Sequence, residues 1–230
     1  MIPKIIHRCW LGPNPMPDVY KSYGTMWWQS NPDWEVIDWS WHNLSTDFIA
    51  QDTIDLITAR ASKPSIEWAT QLADIIGYEL TYKYGGIYMN ADIKPIKPLS
   101  TMFINHPKCE NMAFAALEQG DFLVNAVTGG PARSSFWKEV LDGINHNYIN
   151  YPPQTEMVFT TGPRYLDSIW RQDINKLYAL PIHTFNPIWW GDLETGSTPD
   201  GIYNESSFPE DTIGMHCWGH KLTGRSNVVP

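Results

Sequence analysis

With 230 residues, 43% of them apolar, a net charge of −9 and a pI near 5.1, the chain has the composition of an acidic globular protein of one-domain size. That balance disfavours nucleic acid as a partner, because neutralising phosphates needs clustered Lys and Arg, although nucleic acid stays open as an acceptor. Three widely spaced cysteines, Cys9, Cys109 and Cys217, form neither a disulfide framework nor a zinc knuckle and suit a reducing compartment. The opening lacks a leader pattern and no run of about 20 apolar residues spans a membrane. A cytoplasmic location is therefore expected, and the size is compatible with a phage or viral origin.

Residues 4–10 form a β-type run ended by the Gly/Pro/Asn loop at 11–15. A helix is predicted over 18–30, opened by Asp18 and stopped before Pro32, followed by a strand over 34–39 and a helix over 47–61. The clearest helix is 65–84, where Ala69, Leu72, Ile76 and Leu80 make an apolar stripe and Gly85 ends it. Its other face carries Glu67, Thr70, Gln71, Asp74, Gly77, Tyr78 and Thr81. That face is either solvated or the wall of a cleft. A short buried strand at 87–89 follows, then strands at 112–117 and 122–127, helices at 134–144 and 163–170, and late strands at 177–180 and 213–218. The stretch 184–211 reads as mostly irregular. Alternating strands and helices predict a single α/β domain over 1–230 with a central, mostly parallel sheet flanked by helices.

The run Lys83-Tyr84-Gly85-Gly86-Ile87-Tyr88-Met89-Asn90-Ala91-Asp92 carries the most chemistry. It reads as helix end, glycine turn, buried strand, then an amide and a carboxylate one residue apart. Strand parity points residues 90 and 92 to one side, so the two oxygens are expected to converge where the strand ends, a seat for a hard divalent cation. The ends of strands are where open α/β sheets bind ligands. His216 could complete a Mn²⁺ site begun by carboxylates, and Arg8 and Lys221 could face phosphate oxygens. Each also has an ordinary use as a core histidine or a surface cation. Asp121 and Asn125 are candidates for the acceptor side against simple turn and capping roles. Twelve tryptophans exceed ordinary usage, and doublets such as Trp27-Trp28 and Trp189-Trp190 cannot both face one core. No P-loop, dinucleotide fingerprint, nucleophile elbow or His-Glu-x-x-His pattern is present.

The opening 2–12, the Asn31-Pro32-Asp33-Trp34-Glu35 step, the block from Ala73-Asp74 through Tyr84–Ile93, Thr161-Gly162-Pro163 and His216-Cys217-Trp218 together resemble one family. It is the DXD-motif glycosyltransferases related to yeast initiating α-1,6-mannosyltransferase (glycosyltransferase family 32-like), distantly similar to the glucosyltransferase domains of clostridial toxins. The resemblance implies a GT-A-type nucleotide-sugar-binding fold. It also implies a retaining, Mn²⁺- or Mg²⁺-dependent transfer of a sugar from a UDP- or GDP-sugar to a glycan, protein or other acceptor. In that pattern Trp10 stacks on the nucleobase and Asp74 hydrogen-bonds the donor sugar. Asp92 ligates the metal, Asn90 touches ribose and the metal shell, and His216 is a late metal ligand. Asp74 and Asp92 carry the catalysis; apart from the resemblance, Arg8 and Lys221 are expected to supply positive charge to the donor.

The chain departs from the pattern at three positions. Asn90 stands for the first Asp of the DXD motif, which removes one negative charge. Gly77 stands where the family usually has Arg, and Arg8 where it often has a neutral polar residue, so Arg8 is expected to restore the charge missing at 77. The competing expectation is a catalytically weakened nucleotide-sugar-binding protein on the same fold.

Overall fold

The computed structural model describes residues 1–45, 47–60, 66–150, 156–193 and 203–219, with backbone alone for Arg60, Ile66 and Glu67. In chain order the strands are β1 (Ile5–Cys9), β2 (Glu35–Trp39), β3 (Gly86–Met89), β4 (Ile93–Pro95), β5 (Phe114–Glu118), β6 (Phe122–Gly130), β7 (Tyr178–Leu180) and β8 (Gly214–His216). The helices are α1 (Asp18–Ser30), α2 (Gln51–Arg60), α3 (Ile66–Tyr84), α4 (Leu99–Asn105), α5 (Ser135–Asn150), α6 (Met157–Thr160) and α7 (Pro163–Trp170).

Six strands form one sheet in the order β2-β1-β3-β6-β5-β7. β1 pairs in parallel with β2 and β3, and β5 with β7; β6 runs against both of its neighbours, β3 and β5. The expected α/β class with a mostly parallel sheet flanked by helices therefore holds, with β6 as the reversed strand. Crossovers through helices are what parallel neighbours require.

The link from α3 into β3 shows how sequence sets this arrangement. Gly85 and Gly86 take φ of 68° and 88°, and a Cβ at Gly86 would run into the Ile5 carbonyl of β1. The two glycines let β3 turn and lie beside β1, in the register Ile6↔Ile87 and His7↔Tyr88. His7 braces the turn: its Nε2 hydrogen-bonds to the Gly85 carbonyl at 2.9 Å, while its Nδ1 accepts from Trp39 Nε1 at 3.1 Å. Burial lowers its pKa to about 4 against the raising effect of that backbone bond, so the ring works as a neutral two-ended brace.

Apolar side chains cover both faces of the sheet. On one, Leu72, Ile76 and Leu80 of α3 meet Trp137 and Val140 of α5; on the other, Ile6, Ile87, Met89 and Phe114 meet Trp27, Leu99 and Met102. Trp27 also donates its indole N–H to the Ile93 carbonyl at 2.9 Å, while its neighbour Trp28 is exposed. The predicted stripe of α3 is thus core. The polar face of α3 is not solvated either: Thr70, Asp74, Tyr78 and Thr81 are all buried.

β4 begins right after Asp92 and pairs antiparallel with β8, with Ile93 opposite His216. Cys217 N–H then donates to the Asp92 carbonyl at 3.0 Å. This small ladder carries the far end of the chain back to the Asn90–Asp92 turn.

Candidate functional site

β3 ends at Met89 and residues 90–93 form a turn, closed by Ile93 N–H donating to the Asn90 carbonyl at 3.1 Å. The strand parity expected to aim residues 90 and 92 at one point therefore does not apply. The turn itself orients them. Asn90 is half-buried, its N–H held by the Ala126 carbonyl of β6 at 2.8 Å and its Oδ1 3.5 Å from the Tyr88 hydroxyl. Asp92 is 3% exposed and points towards the returning β8 segment.

There its two oxygens have different fates. Oδ2 accepts from Gly219 N–H at 2.8 Å, whereas Oδ1 lies 3.4 Å from His216 Nε2 and makes no hydrogen bond. Among the described residues, neither nitrogen of the buried His216 ring has a hydrogen-bond partner. Burial pushes the Asp92 carboxyl up, but His216 and the Gly219 N–H outweigh it and hold it below the ordinary carboxylate range. An orphaned buried oxygen facing an orphaned buried nitrogen is costly unless something fits between them. Two ligands of one small divalent ion, each about 2.1 Å from it at a right angle, lie about 3 Å apart. The pair fits a metal on this ground, and an imidazole beside oxygen ligands suits Mn²⁺ better than Mg²⁺. No group of three or more His, Cys, Asp or Glu side chains gathers among the described residues, so any ion here keeps non-protein ligands.

A second cluster lies on α3. Asp74 Oδ1 accepts from Asn125 Nδ2 of β6 at 2.6 Å, and its Oδ2 accepts from Thr161 Oγ1 at 2.9 Å. Burial drives its carboxyl up to about 7, against two hydrogen bonds that favour the ionised form. Asn125, proposed from sequence on the acceptor side, is thus a direct partner of Asp74. Thr161 was visible only as part of a Thr-Gly-Pro landmark; its function as an Asp74 partner was missed because 87 residues separate the two. Asp121 sits apart from both clusters. It is exposed at the β5–β6 turn with φ of 57°, its carbonyl accepting from Arg171 at 2.8 Å.

Trp10 is half-buried at the end of β1, its N–H donated to the Asn14 carbonyl at 2.7 Å and its ring 6.1 Å from Tyr20. It packs against the cluster formed by Tyr20, Tyr23, Ala91, Met215 and Cys217, which includes a residue of the turn. Arg8 is placed differently from an open phosphate contact. Its guanidinium is fully buried, donates to the Tyr20 carbonyl at 2.5 Å, approaches the Ala91 carbonyl at 3.5 Å and lies 3.4 Å from Asp38. It therefore sits beneath the turn. Lys221 lies outside the described residues.

Gly77 does not leave an empty slot. The Tyr88 ring fills it, and a Cβ at 77 would come within 2.9 Å of that ring. Two further neighbours escaped sequence reasoning. Trp218 places its ring 3.9 Å from that of His216, and Glu118, at the end of β5, is pushed up by burial while His216 and Arg164 pull it down. Trp218 belongs to the His216-Cys217-Trp218 landmark but was given no role of its own, and Glu118 sits on a segment with no motif.

Residues 17–110, which include Asp74, Asn90 and Asp92, match the family model described as glycosyltransferase sugar-binding region containing DXD motif. Inositol phosphoceramide mannosyltransferase 3 of Schizosaccharomyces pombe is 28% identical over 74% of this chain and 45% of its own length. The chain therefore spans less than half of that relative. The PaToxG glycosyltransferase superposes with a TM-score of 0.59 at 15% identity, covering 76% of this chain and 70% of that one. The UDP-bound glycosyltransferase domain of the YGT toxin gives 0.53 at 12% identity, covering 79% and 80%. At these identities the two structures show a shared fold, the GT-A arrangement of the glycosyltransferases.

Proposed function

We propose that this chain, which carries the DXD-containing sugar-binding region of a glycosyltransferase on a GT-A fold, transfers a sugar from a nucleotide-sugar donor to a hydroxyl acceptor with the help of a divalent ion. One observation carries the metal: the buried Asp92 Oδ1 and His216 Nε2 face each other at 3.4 Å without hydrogen bonds. When bound, the ion supplies Lewis-acid stabilisation of the diphosphate leaving group.

The chain's own residues do the rest. Gly219 N–H fixes Asp92, Trp10 offers an aromatic face at the rim, and Asp74, held by Asn125 and Thr161, accepts hydrogen bonds from donor sugar hydroxyls. The bond from the anomeric carbon to the diphosphate oxygen breaks and one to the acceptor oxygen forms. The acceptor's proton leaves with the departing phosphate. No protein nucleophile is assigned, in keeping with a retaining outcome. Arg8, beneath the turn, adds positive potential from behind it, because its guanidinium interacts electrostatically with Asp92. The name of the fission-yeast relative, a mannosyltransferase, makes mannose the first donor sugar to try.

The test is release of nucleoside diphosphate from UDP- and GDP-sugars with and without Mn²⁺. Turnover that needs Mn²⁺ and falls roughly 100-fold or more in Asp92→Ala supports the proposal. Tight nucleotide binding with no turnover on any donor supports a second reading, a weakened nucleotide-sugar binder. Asn90 in place of an acid and the Tyr88 ring filling the Gly77 slot favour that alternative.

A further inference from the structure

Beside His216 lies a pocket of about 190 Å³ whose walls include Glu118, Asn186, Trp189, Asp192, Tyr203 and Trp218. Trp218 is the shared wall: one side of its environment is the His216 ring, 3.9 Å away, and its indole N–H donates to the Ile188 carbonyl at 3.1 Å. The volume corresponds to roughly six waters at about 30 Å³ each, room for one six-membered ring with its hydroxyls.

The polar groups select the ligand. Asn186 is 5% exposed and spends its Nδ2 on the Leu117 carbonyl at 2.8 Å, while its buried Oδ1 has no partner among the described residues. A buried amide oxygen without a donor is a standing penalty that a ligand hydroxyl removes. Glu118 and Asp192 add two carboxylates, and among the described residues the lining contains neither Lys nor Arg. Acceptors of hydrogen bonds, aromatic walls and negative charge suit a neutral polyol and repel an anion.

We propose that this pocket is the acceptor subsite and that it takes a neutral hydroxylated ring, a sugar or cyclitol, in preference to a phosphorylated one. The proposal rests on the glycosyl-transfer reading above. Ring hydroxyls donate to Asn186 Oδ1, Glu118 and Asp192, and the ring's apolar edge packs on Trp189 and Tyr203. A hydroxyl directed past Trp218 then faces the Asp92–His216 pair.

Saturation-transfer NMR on the full chain tests it with methyl α-mannopyranoside and myo-inositol as neutral probes and mannose 6-phosphate as the charged one. The neutral rings are expected to receive saturation, and Trp189→Ala is expected to weaken their binding about 5-fold or more, the worth of one aromatic contact. Trp189 is 37% exposed, so its removal leaves the fold intact, which a melting curve checks. Mannose 6-phosphate is expected to gain binding in Glu118→Gln/Asp192→Asn; if that double variant does not fold, Trp189→Ala carries the test alone. Equal binding of the phosphorylated sugar to the unaltered chain, or unchanged affinity in Trp189→Ala, overturns the proposal. Calorimetry with UDP or GDP and Mn²⁺ on the same unaltered chain separates the two claims. Nucleotide binding without ring binding sinks the subsite alone; ring binding without nucleotide binding sinks the donor reading and leaves the pocket's ligand class standing.

Discussion

At Asp74 the chain holds a carboxyl whose pKa burial has raised from 3.8 to about 7, despite hydrogen bonds from Asn125 and Thr161. The sign of the stability effect follows from proton counting. Between about pH 4 and pH 7 the unfolded chain has lost this proton and the folded chain keeps it, so stability falls as pH rises through that window and levels off above it. Glu79, whose carboxyl caps Ala50 N–H at 2.7 Å and is also raised to about 7 by burial, adds a slope of the same sign. Buried His7, lowered to about 4, contributes an opposing slope up to about pH 6.5, so Asp74→Asn is expected to remove most of the net stability loss between pH 5 and 7, read by urea denaturation at both values. Donor chemistry should run the other way. An ionised Asp74 is the better acceptor for sugar hydroxyls, so kcat/KM for donor turnover is expected to rise with pH through an acid limb near 7. In Asp74→Asn that limb should vanish along with most of the activity. A limb retained in the variant would assign it to another group.

At the scale of the element, α3 and β3 are fitted to each other through Gly77 and Tyr88. An isolated helix gains about 1 kcal/mol when an interior Gly becomes Ala, but here the new Cβ would sit 2.9 Å from the Tyr88 ring. Overpacking of this kind costs about 1–3 kcal/mol. Gly77→Ala is expected to be neutral to destabilising in the unaltered chain and stabilising when combined with Tyr88→Ala. A double-mutant cycle in urea checks the change of sign, and simple additivity would break the pairing of ring and slot. The same geometry bears on the Arg that the family usually carries at 77: Gly77→Arg would have to expel Tyr88 before it could reach a phosphate. What was legible in the sequence follows the length of each pattern. α3 was readable because its stripe from Ala69 to Leu80 repeats over about three turns, and α1 because Asp18 and Pro32 bracket it. β4 was missed because three residues ending in Pro95 carry no period, and α4 and α6 because one or two turns show no stripe. The site's location was readable from Gly85 to Asp92, but its geometry was not. β3 stops at Met89, so strand parity aimed residues 90 and 92 wrongly, and the partners of Asp74 lie 51 and 87 residues away.

Across the whole molecule, the Asp92–His216 pair proposed to hold the ion joins segments far apart in sequence: Asp92 follows the central strand and His216 arrives on the closing β4–β8 ladder. Such a pair exists only in the folded chain, so an ion that bridges it must stabilise the fold as a whole. At 100 times its dissociation constant, Mn²⁺ contributes about 2.7 kcal/mol, which for a chain of this size raises Tm by about 5–10 °C. The acidic surface complicates the measurement, because a net charge of −9 attracts Mn²⁺ non-specifically. That component is screened by salt, whereas a buried site is not. The Tm rise is therefore expected to persist at about 0.5 M NaCl, where the Debye length has shrunk to well under 10 Å. It should reverse with EDTA and vanish in Asp92→Ala and in His216→Ala. A shift that salt abolishes, or that survives both substitutions, would put the ion on the surface and leave the orphaned pair without a ligand.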